Sequence, residues 1–477
     1  MTNLRTIFLL LSLLFFSVAC QEATSNLENS ATTAHTNLYA TSVANATRQA
    51  SNADDRVQIE WFVGLGHQPT EKQENRLHQL ANRFNESQNE IWVQLAILPE
   101  EDALEHLQTS QTEGQLPDLI GPLRLDAANY FAEDWLDLRP YLTPEHLSRY
   151  SEQSLALYDR NGRLEGVPIN LYPSFIFYNR TLFDKAGLAY PPQQYEQPYA
   201  DGKVWDFDKV HELALQLTLD REGNQAGSPD FNPQDVRQFG YINQWNEVAR
   251  EGLVPFGAYH FLDESGQIEI ADAWRTGLYW TYEAMWTHRY YPNRDDQLSD
   301  LFANANTFRS GHVAMAHAAQ WFTCCLGETN FEWDIAVMPS FEGETTSKLH
   351  SDSFRIFEES NNKEATAQFL NWLMTTGYVD LLFAYGGVPA QPERQEFMLE
   401  ELDKFYPYSV NWQVMLDSLA YADTPHHQAF LPNYEQVQLA EMLFWSLIET
   451  DPSLDLEQEI IRFETQLQLI VNSSADN

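Results

Sequence analysis

The sequence predicts an α/β protein with two successive α/β regions separated by an extended crossing, and three observations carry the prediction. Residues 57–95 read strand, helix, strand at the spacing of a βαβ unit, which implies a parallel sheet. In GRLEGVPINLYPSFIFYNRTLFDKAGLAYPP (162–192), Pro168 and Pro173 each remove a backbone donor and push the preceding residue toward extended geometry, which excludes a helix there. The chain has 477 residues, 43% of them apolar, a globular composition with room for about three domains of ~150 residues.

Charge narrows the partners. Lys and Arg number 28 against 69 Asp and Glu, a formal charge of -41. Nucleic acid and anionic membrane surfaces both need a basic footprint, so no nucleic-acid partner is expected and the charge reads as a solubilising surface. The 13 Trp, 22 Tyr and 28 Phe exceed what the core obviously requires, and some are expected to line a groove. Three cysteines give no disulfide framework. Cys324 and Cys325 are neighbours and are expected as buried structural thiols, with a strained vicinal disulfide as the alternative; no metal-ligand spacing joins them to His312 or His317.

Residues 1–20 read as a signal peptide. Arg5 supplies the positive end, Ile7 to Phe16 the apolar segment and Ser17-Val18-Ala19-Cys20 a small-residue cleavage site. The cysteine there resembles the bacterial lipobox, with Ser17 in the place of its leucine. The resemblance implies that Cys20 is lipidated and becomes the mature N-terminus, ordinary cleavage near Ala19 being the alternative. Residues 21–55, rich in Ser, Thr, Asn and Ala, lack the apolar periodicity needed to order themselves and read as a disordered tether. No later apolar run is long enough to span a bilayer, so membrane attachment is expected through the lipid anchor only.

The folded part begins at Val57 to Val63, which alternates at period two and breaks at Gly64-Leu65-Gly66. A helix follows from about Thr70 to Glu86 with Leu77, Leu80 and Phe84 on one face, then a strand at Ile91 to Leu95. Leu116 to Pro122 supplies a short buried strand and turn. Val167 to Pro173 is expected as an exposed crossing, Phe175 to Tyr178 as a separate short strand, and Thr181 to Gly187 as a brief helix with a glycine cap. Trp205-Asp206-Phe207-Asp208 caps a helix through about Leu217, and Asp220 to Asn224 is a loop without calcium-loop spacing. Phe239 to Trp245 reads as a buried strand ending in polar and aromatic residues. Strands at 331–339 and 354–357 and a helix at Lys363 to Leu373 complete the pattern, with Trp61 and Trp333 assigned to the core. No solenoid repeat is present.

The order of these segments resembles the family 1 extracellular solute-binding proteins, the carbohydrate-binding group of ABC importers that includes the maltose-binding proteins. Gly166-Val167-Pro168, Tyr178-Asn179, Leu182-Phe183-Asp184-Lys185-Ala186-Gly187-Leu188, Phe308-Arg309-Ser310-Gly311-His312-Val313-Ala314-Met315 and Gly386-Gly387-Val388-Pro389-Ala390 carry it. The resemblance implies a two-lobed periplasmic-binding-protein-like fold, each lobe a mostly parallel sheet flanked by helices, joined by a hinge. Lobe 1 would comprise 57–169 and 354–400, and lobe 2 would comprise 170–350 and 401–471. It further implies a monomeric receptor at the cell surface or in the periplasm that closes on a sugar or oligosaccharide and presents it to ABC importer permease subunits. Ser351-Asp352-Ser353 stands where the family usually has glycines, which implies a stiffer second hinge or polar groups that reach the ligand.

A sugar offers hydroxyls that need hydrogen-bond partners and a C–H face that packs on an aromatic ring, so its site combines aromatic platforms with polar side chains. By match to the family, Tyr172, Trp321, and Trp245 with Gln244 fall on ligand-facing positions, with core packing the competing reading for the aromatics. Loop position adds Gly64 and His67, Arg124, Asp352 and Gly387, each more often a plain turn. No Gly-x-Ser-x-Gly, His-Glu-x-x-His or phosphate-binding glycine loop appears, so no catalytic residue, metal or cofactor is expected. A secreted glycan hydrolase stays open as an alternative, because a carboxylate pair can be assembled by folding alone. So does a receptor domain that senses a non-sugar ligand.

Overall fold

The computed structural model describes residues 55–64, 70–245, 249–263, 265–302, 306–327, 329–423 and 431–473. The signal peptide, Cys20, nearly all of the tether and His67 lie outside the described residues. The first βαβ unit forms as the alternation predicts: β1 (Val57–Val63), α1 (Glu71–Ser87) and β2 (Ile91–Ile97), with β1 and β2 parallel from Val57 opposite Ile91 to Val63 opposite Ile97. Thr70 starts α1 through a capping box: its hydroxyl accepts from the Gln73 N–H while the Gln73 side chain accepts from the Thr70 N–H. After α2 (Glu100–Glu113), β3 (Leu119–Arg124) adds in parallel to the other edge of β1.

Alternation along β1 loads both faces of this sheet. Ile59, Trp61 and Val63 join Leu77, Leu80 and Phe84 in the main core, while Phe62 enters a second cluster with Ala103, Leu107, Phe131 and Trp135. Burial on both faces is the condition under which parallel sheets occur.

A small hairpin of β4 (Asp159–Arg160) and β5 (Arg163–Leu164) leads into β6 (Val167–Asn179). Here the structure corrects the sequence reading. The expected exposed crossing and separate short strand are one strand of 13 residues, buried throughout. The remaining strands explain the burial: β7 (Leu219–Asp220), β8 (Val236–Asn243), β9 (Val313–Ala319), β10 (Trp333–Ala336), β11 (Leu349–Ile356) and β12 (Val388–Pro389). The first half of β6 lies antiparallel between β11 and β12, and its second half antiparallel between β9 and β10. The β11 register slips between Asp352 and Ser353, opposite Pro168, which is the irregularity that a proline inside a sheet requires.

The sheet order β2-β1-β3-β11-β6-β9-β8-β7 therefore runs through both lobes of a two-lobed α/β fold, with β6 and β11 crossing between them. Parallel pairs β1–β2, β1–β3 and β8–β9 build the lobes, and the crossing strands pair antiparallel. On the β8 side, α3 (Phe207–Leu217) is capped by Asp206, whose carboxylate accepts from the Lys209 N–H. The helix α4 (Asp272–Trp286) packs in the same lobe, and α5 (Lys363–Leu373) and α6 (Tyr378–Tyr385) return to the β1 side. The chain ends in α7 (Tyr434–Thr450) and α8 (Leu456–Ser473), packed on each other and, through α7, on α4. Among the described residues, no helix is long and apolar enough to cross a membrane.

Gly240 in β8 shows how tightly α3 sits on the sheet, since a Cβ there would lie 2.2 Å from the Ala214 carbonyl oxygen. The Gly240→Ala change is expected to destabilise the fold by ~2–3 kcal/mol, seen as a lower urea midpoint at unchanged slope. A loss below ~0.5 kcal/mol would remove this close approach as a constraint on the fold.

Candidate ligand cleft

The crossing strands bring polar side chains from three segments to one place. Asp352 on β11 lies opposite Arg124 on β3 and Asn170 on β6, and His350 lies opposite Tyr172. Residues two apart on a strand share a face, so His350 with Asp352, and Asn170 with Tyr172, form one polar patch across two strands, with Asn170, Tyr172 and Asp352 buried in it. The Tyr172 hydroxyl donates to Asp352 Oδ2 at 3.0 Å. The serines beside Asp352 tie the strands together: Ser351 Oγ donates to the Asn170 carbonyl at 2.9 Å and accepts from the Tyr158 hydroxyl at 2.7 Å. They act as hinge fasteners, and Asp352 is the polar group of the three that reaches Tyr172.

Two predicted glycines have steric reasons for being there. Gly387 has φ +84, and a Cβ on it would meet the Tyr172 ring at 2.6 Å and Asn170 Cβ at 2.9 Å. Its neighbour Gly386 accepts from Asn170 Nδ2 at 2.9 Å, which fixes the 386–387 turn on β6. Gly64 is buried at the end of β1, where a Cβ would lie 2.7 Å from Ala103 Cβ.

Arg124 stands at the rim. Its guanidinium pairs with Glu100 and, through Nε, with Asp126 at 3.3 Å, yet 40% of its side chain stays exposed. A chain of hydrogen bonds then leaves this point for the other lobe. Asp126 Oδ2 accepts from the Tyr434 hydroxyl at 2.9 Å, Tyr434 accepts from Gln438 Nε2 at 2.9 Å, and Gln438 Oε1 accepts from the Tyr130 hydroxyl at 2.9 Å. The Tyr130 and Tyr434 rings meet edge to face at 5.5 Å. Sequence reasoning missed this clasp entirely. Its partners lie 308 residues apart, and no periodicity links them.

The second wall is aromatic. Trp321, half-buried, opens the 3-10 turn that follows β9 (Gln320–Cys325). Its ring lies parallel to Trp245 at 5.8 Å and edge-on to His350 at 6.2 Å. Trp245 has φ +58, a left-handed conformation costly for a bulky residue, and Phe322 braces its ring edge-on at 5.2 Å. Gln244 is buried and anchored instead: its Oε1 accepts from the Phe308 N–H at 3.0 Å and its N–H donates to the His317 carbonyl. The cysteine expectation is corrected here. Cys324 is exposed and Cys325 half-buried, because the turn points Gln320 and Phe322 inward.

Electrostatics set these groups apart. Burial pushes the Asp352 carboxyl up to about 6, Asp126 and Glu100 add to the rise, and the Tyr172 hydrogen bond and Arg124 oppose it. Asp126, which burial alone would raise, is held down to about 2 by Arg124, by the Tyr434 hydroxyl and by His350 and Lys348. Lys348 is fully buried and ion-paired with Glu251. Beside that pair, burial and Lys348 lower His317 to about 3, against the pull of Glu251. Every charge named here thus has an opposite charge nearby. Among the described residues, no three His, Cys, Asp or Glu side chains gather to hold a metal.

The raised Asp352 carboxyl binds a proton in the folded state at pH values where the unfolded chain has lost it, so its contribution to stability falls as pH rises from about 3.8 toward 6. The Asp352→Asn protein is therefore expected to match wild type near pH 4 and to exceed its stability at pH 7, by at most about 3 kcal/mol. Urea titrations of both proteins across pH check this. A gap that narrows as pH rises would contradict it.

A model of the bacterial extracellular solute-binding protein family matches residues 79–405. Curated relatives from Brucella abortus and Brucella suis, described as binding proteins, are 24% identical over 299 residues. The match takes in 59% of this chain, and the chain spans about 64% of the length of those relatives. Among solved structures, an ABC substrate-binding protein of Listeria monocytogenes in complex with cycloalternan superposes with TM-score 0.66 at 17% identity, covering 88% of this chain and 100% of that one. The sugar-binding protein MalE of Xanthomonas citri superposes at 0.64 with 15% identity, covering 87% and 98%. The maltotriose-binding protein of Thermus thermophilus, bound with maltotriose, superposes at 0.58 with 16% identity, covering 86% and 99%. At these identities the likeness is one of fold.

Proposed function

Since the chain belongs to the bacterial extracellular solute-binding proteins, we propose that it is the receptor of an ABC importer, which closes on a sugar or oligosaccharide between its lobes and hands it to the permease subunits. The observation that carries the ligand class is the parallel Trp245–Trp321 pair, in contact through His350 with the strand face that holds Asp352 and Tyr172. One side offers rings for a sugar C–H face, and the other offers donors and acceptors for its hydroxyls. The solved neighbours bound to cycloalternan and maltotriose support the same class. Recognition is proposed without turnover. Lipidation at Cys20, a tether over 21–55, monomeric state and a periplasmic or surface location complete the reading, in accord with an extracellular family.

Closure is the proposed mechanism. The ligand stabilises the closed arrangement only to the extent that it contacts both lobes more fully there. The clasp from Tyr130 through Gln438 and Tyr434 to Asp126 favours that arrangement before any ligand arrives.

A thermal-shift screen with mono- and oligosaccharides tests the ligand class, since saturation at 100 times Kd adds about 2.7 kcal/mol. A shift with a polyamine or peptide and none with any sugar would sink it, as would release of a cleaved product. Trp321→Ala is expected to weaken the sugar found by ~1–2 kcal/mol in a protein that remains folded; equal affinity would return Trp321 to a packing role. Calorimetry on Tyr434→Phe is expected to show weaker binding, by up to about thirtyfold, the value of the two clasp hydrogen bonds that its hydroxyl makes. Unchanged affinity would separate the clasp from closure.

A further inference from the structure

Cys324 and Cys325 close the turn that presents Trp321. In a 3-10 turn, side chains three apart eclipse one another, so Trp321 and Cys324 share a face. The two sulfurs lie 2.8 Å apart, inside the ordinary contact distance of non-bonded sulfur atoms, and Cys324 is open to solvent. The turn is held from behind: Asn306 Nδ2 donates to the Cys325 carbonyl at 3.2 Å and the Tyr406 hydroxyl donates to the Thr323 carbonyl at 3.3 Å. The dithiol is therefore displayed on a fixed support beside an aromatic ring of the cleft. Among the described residues it has no set of further His, Asp or Glu side chains that would make it a metal site.

We propose that this pair is a redox-modification site: Cys324 and Cys325 close into a vicinal disulfide beside Trp321, and the state of that bond sets the ligand affinity of the cleft. The thiolate of one cysteine attacks a disulfide-bearing oxidant, a small-molecule disulfide or a dithiol oxidase, giving a mixed disulfide and releasing one thiol. The second cysteine attacks its neighbour's sulfur in that mixed disulfide, forming the Cys324–Cys325 bond and releasing the second thiol. Two electrons and two protons leave the pair, and the oxidant gains both. The extracytoplasmic setting of the family favours the oxidised state. Adjacent residues hold their Cα atoms about 3.8 Å apart, short of the 4.4–6.8 Å or so that disulfides usually span. The ring is accordingly strained and readily reduced, so the bond follows ambient thiols instead of serving as a permanent staple.

The affinity half of this proposal rests on the sugar-receptor reading, whereas the disulfide half does not. The test equilibrates the full chain with reduced and oxidised glutathione in graded ratios, traps free thiols by alkylation, and reads the peptide that holds both cysteines by mass spectrometry. At oxidising ratios that peptide is expected to resist alkylation and to weigh two hydrogens less than its reduced form. Sugar Kd is then expected to differ severalfold between the two forms of wild type, and not to respond to redox state in the Cys324→Ser/Cys325→Ser protein or in Cys325→Ala. Two alkylated thiols, or a separate glutathione on each sulfur, at every ratio would overturn the disulfide. A closed disulfide with equal Kd in both forms would overturn the coupling. Should no sugar bind, the Trp321 emission, isolated by difference from Trp321→Phe, carries the coupling readout, and an emission identical in both redox states overturns it.

Discussion

Thirteen consecutive buried residues in β6 must satisfy their backbone donors and acceptors on both edges, away from water. Strands β11 and β12 do this for the first half, and β9 and β10 for the second. Because β11 also pairs with β3, and β9 with β8, the strands that satisfy β6 are the ones that build the two lobes. The lobes are consequently joined through hydrogen-bonded sheet, and the partners of β6 change between Pro173 and Ser174. Pro168 and Pro173 fit this arrangement at a cost of one donor each, with the register slip at Asp352 and Ser353 absorbing one of them. The slip sits beside the place where Asp352, Tyr172 and Arg124 come together.

The charge of the molecule and the charge of its cleft differ in kind. A chain with a formal charge of -41 repels anions at long range, yet the candidate site holds Arg124 and Lys348 against Glu100, Asp126, Glu251 and Asp352. Pairing is what makes such burial tolerable, since an unpaired buried charge costs several kcal/mol or about that order. The result is a set of paired charges, in keeping with the neutral ligand class proposed for the site. The same economy explains the aromatic excess of the sequence in part, because Trp245, Trp321, Tyr172, Tyr130 and Tyr434 supply polar tips or open faces at the cleft while most other aromatics are core.

Local signals in the sequence are strong and the structure follows them: the helix from about Thr70 to Glu86, the cap at Asp206, the helix at Lys363–Leu373 and the buried Trp61 and Trp333. Each depends on neighbours within a few residues. What escaped depends on distant pairing. Val167–Pro173 looked exposed because its prolines suggest a linker, whereas partners from beyond residue 312 bury it. Gln244 falls on a ligand-facing position by match to the family, and its amide oxygen holds the Phe308 turn. The cysteines were expected inside by residue type, and the handedness of one short turn leaves Cys324 outside. The candidate site is legible in sequence only as a set of aromatic and polar positions; the contacts among them, including the Tyr130–Gln438–Tyr434–Asp126 clasp, are not.

The proposed receptor role requires one ligand to bridge the aromatic pair and the polar network. A crystal structure with an oligosaccharide bound in solution before crystallisation tests it most directly. The account predicts a sugar ring on the exposed face of Trp321 or Trp245 with hydroxyls on Arg124, Asp126 or Asp352, and with the Tyr434–Asp126 hydrogen bond intact. A sugar seated on an outer surface, or one that leaves Trp321 and Arg124 both untouched, would contradict it.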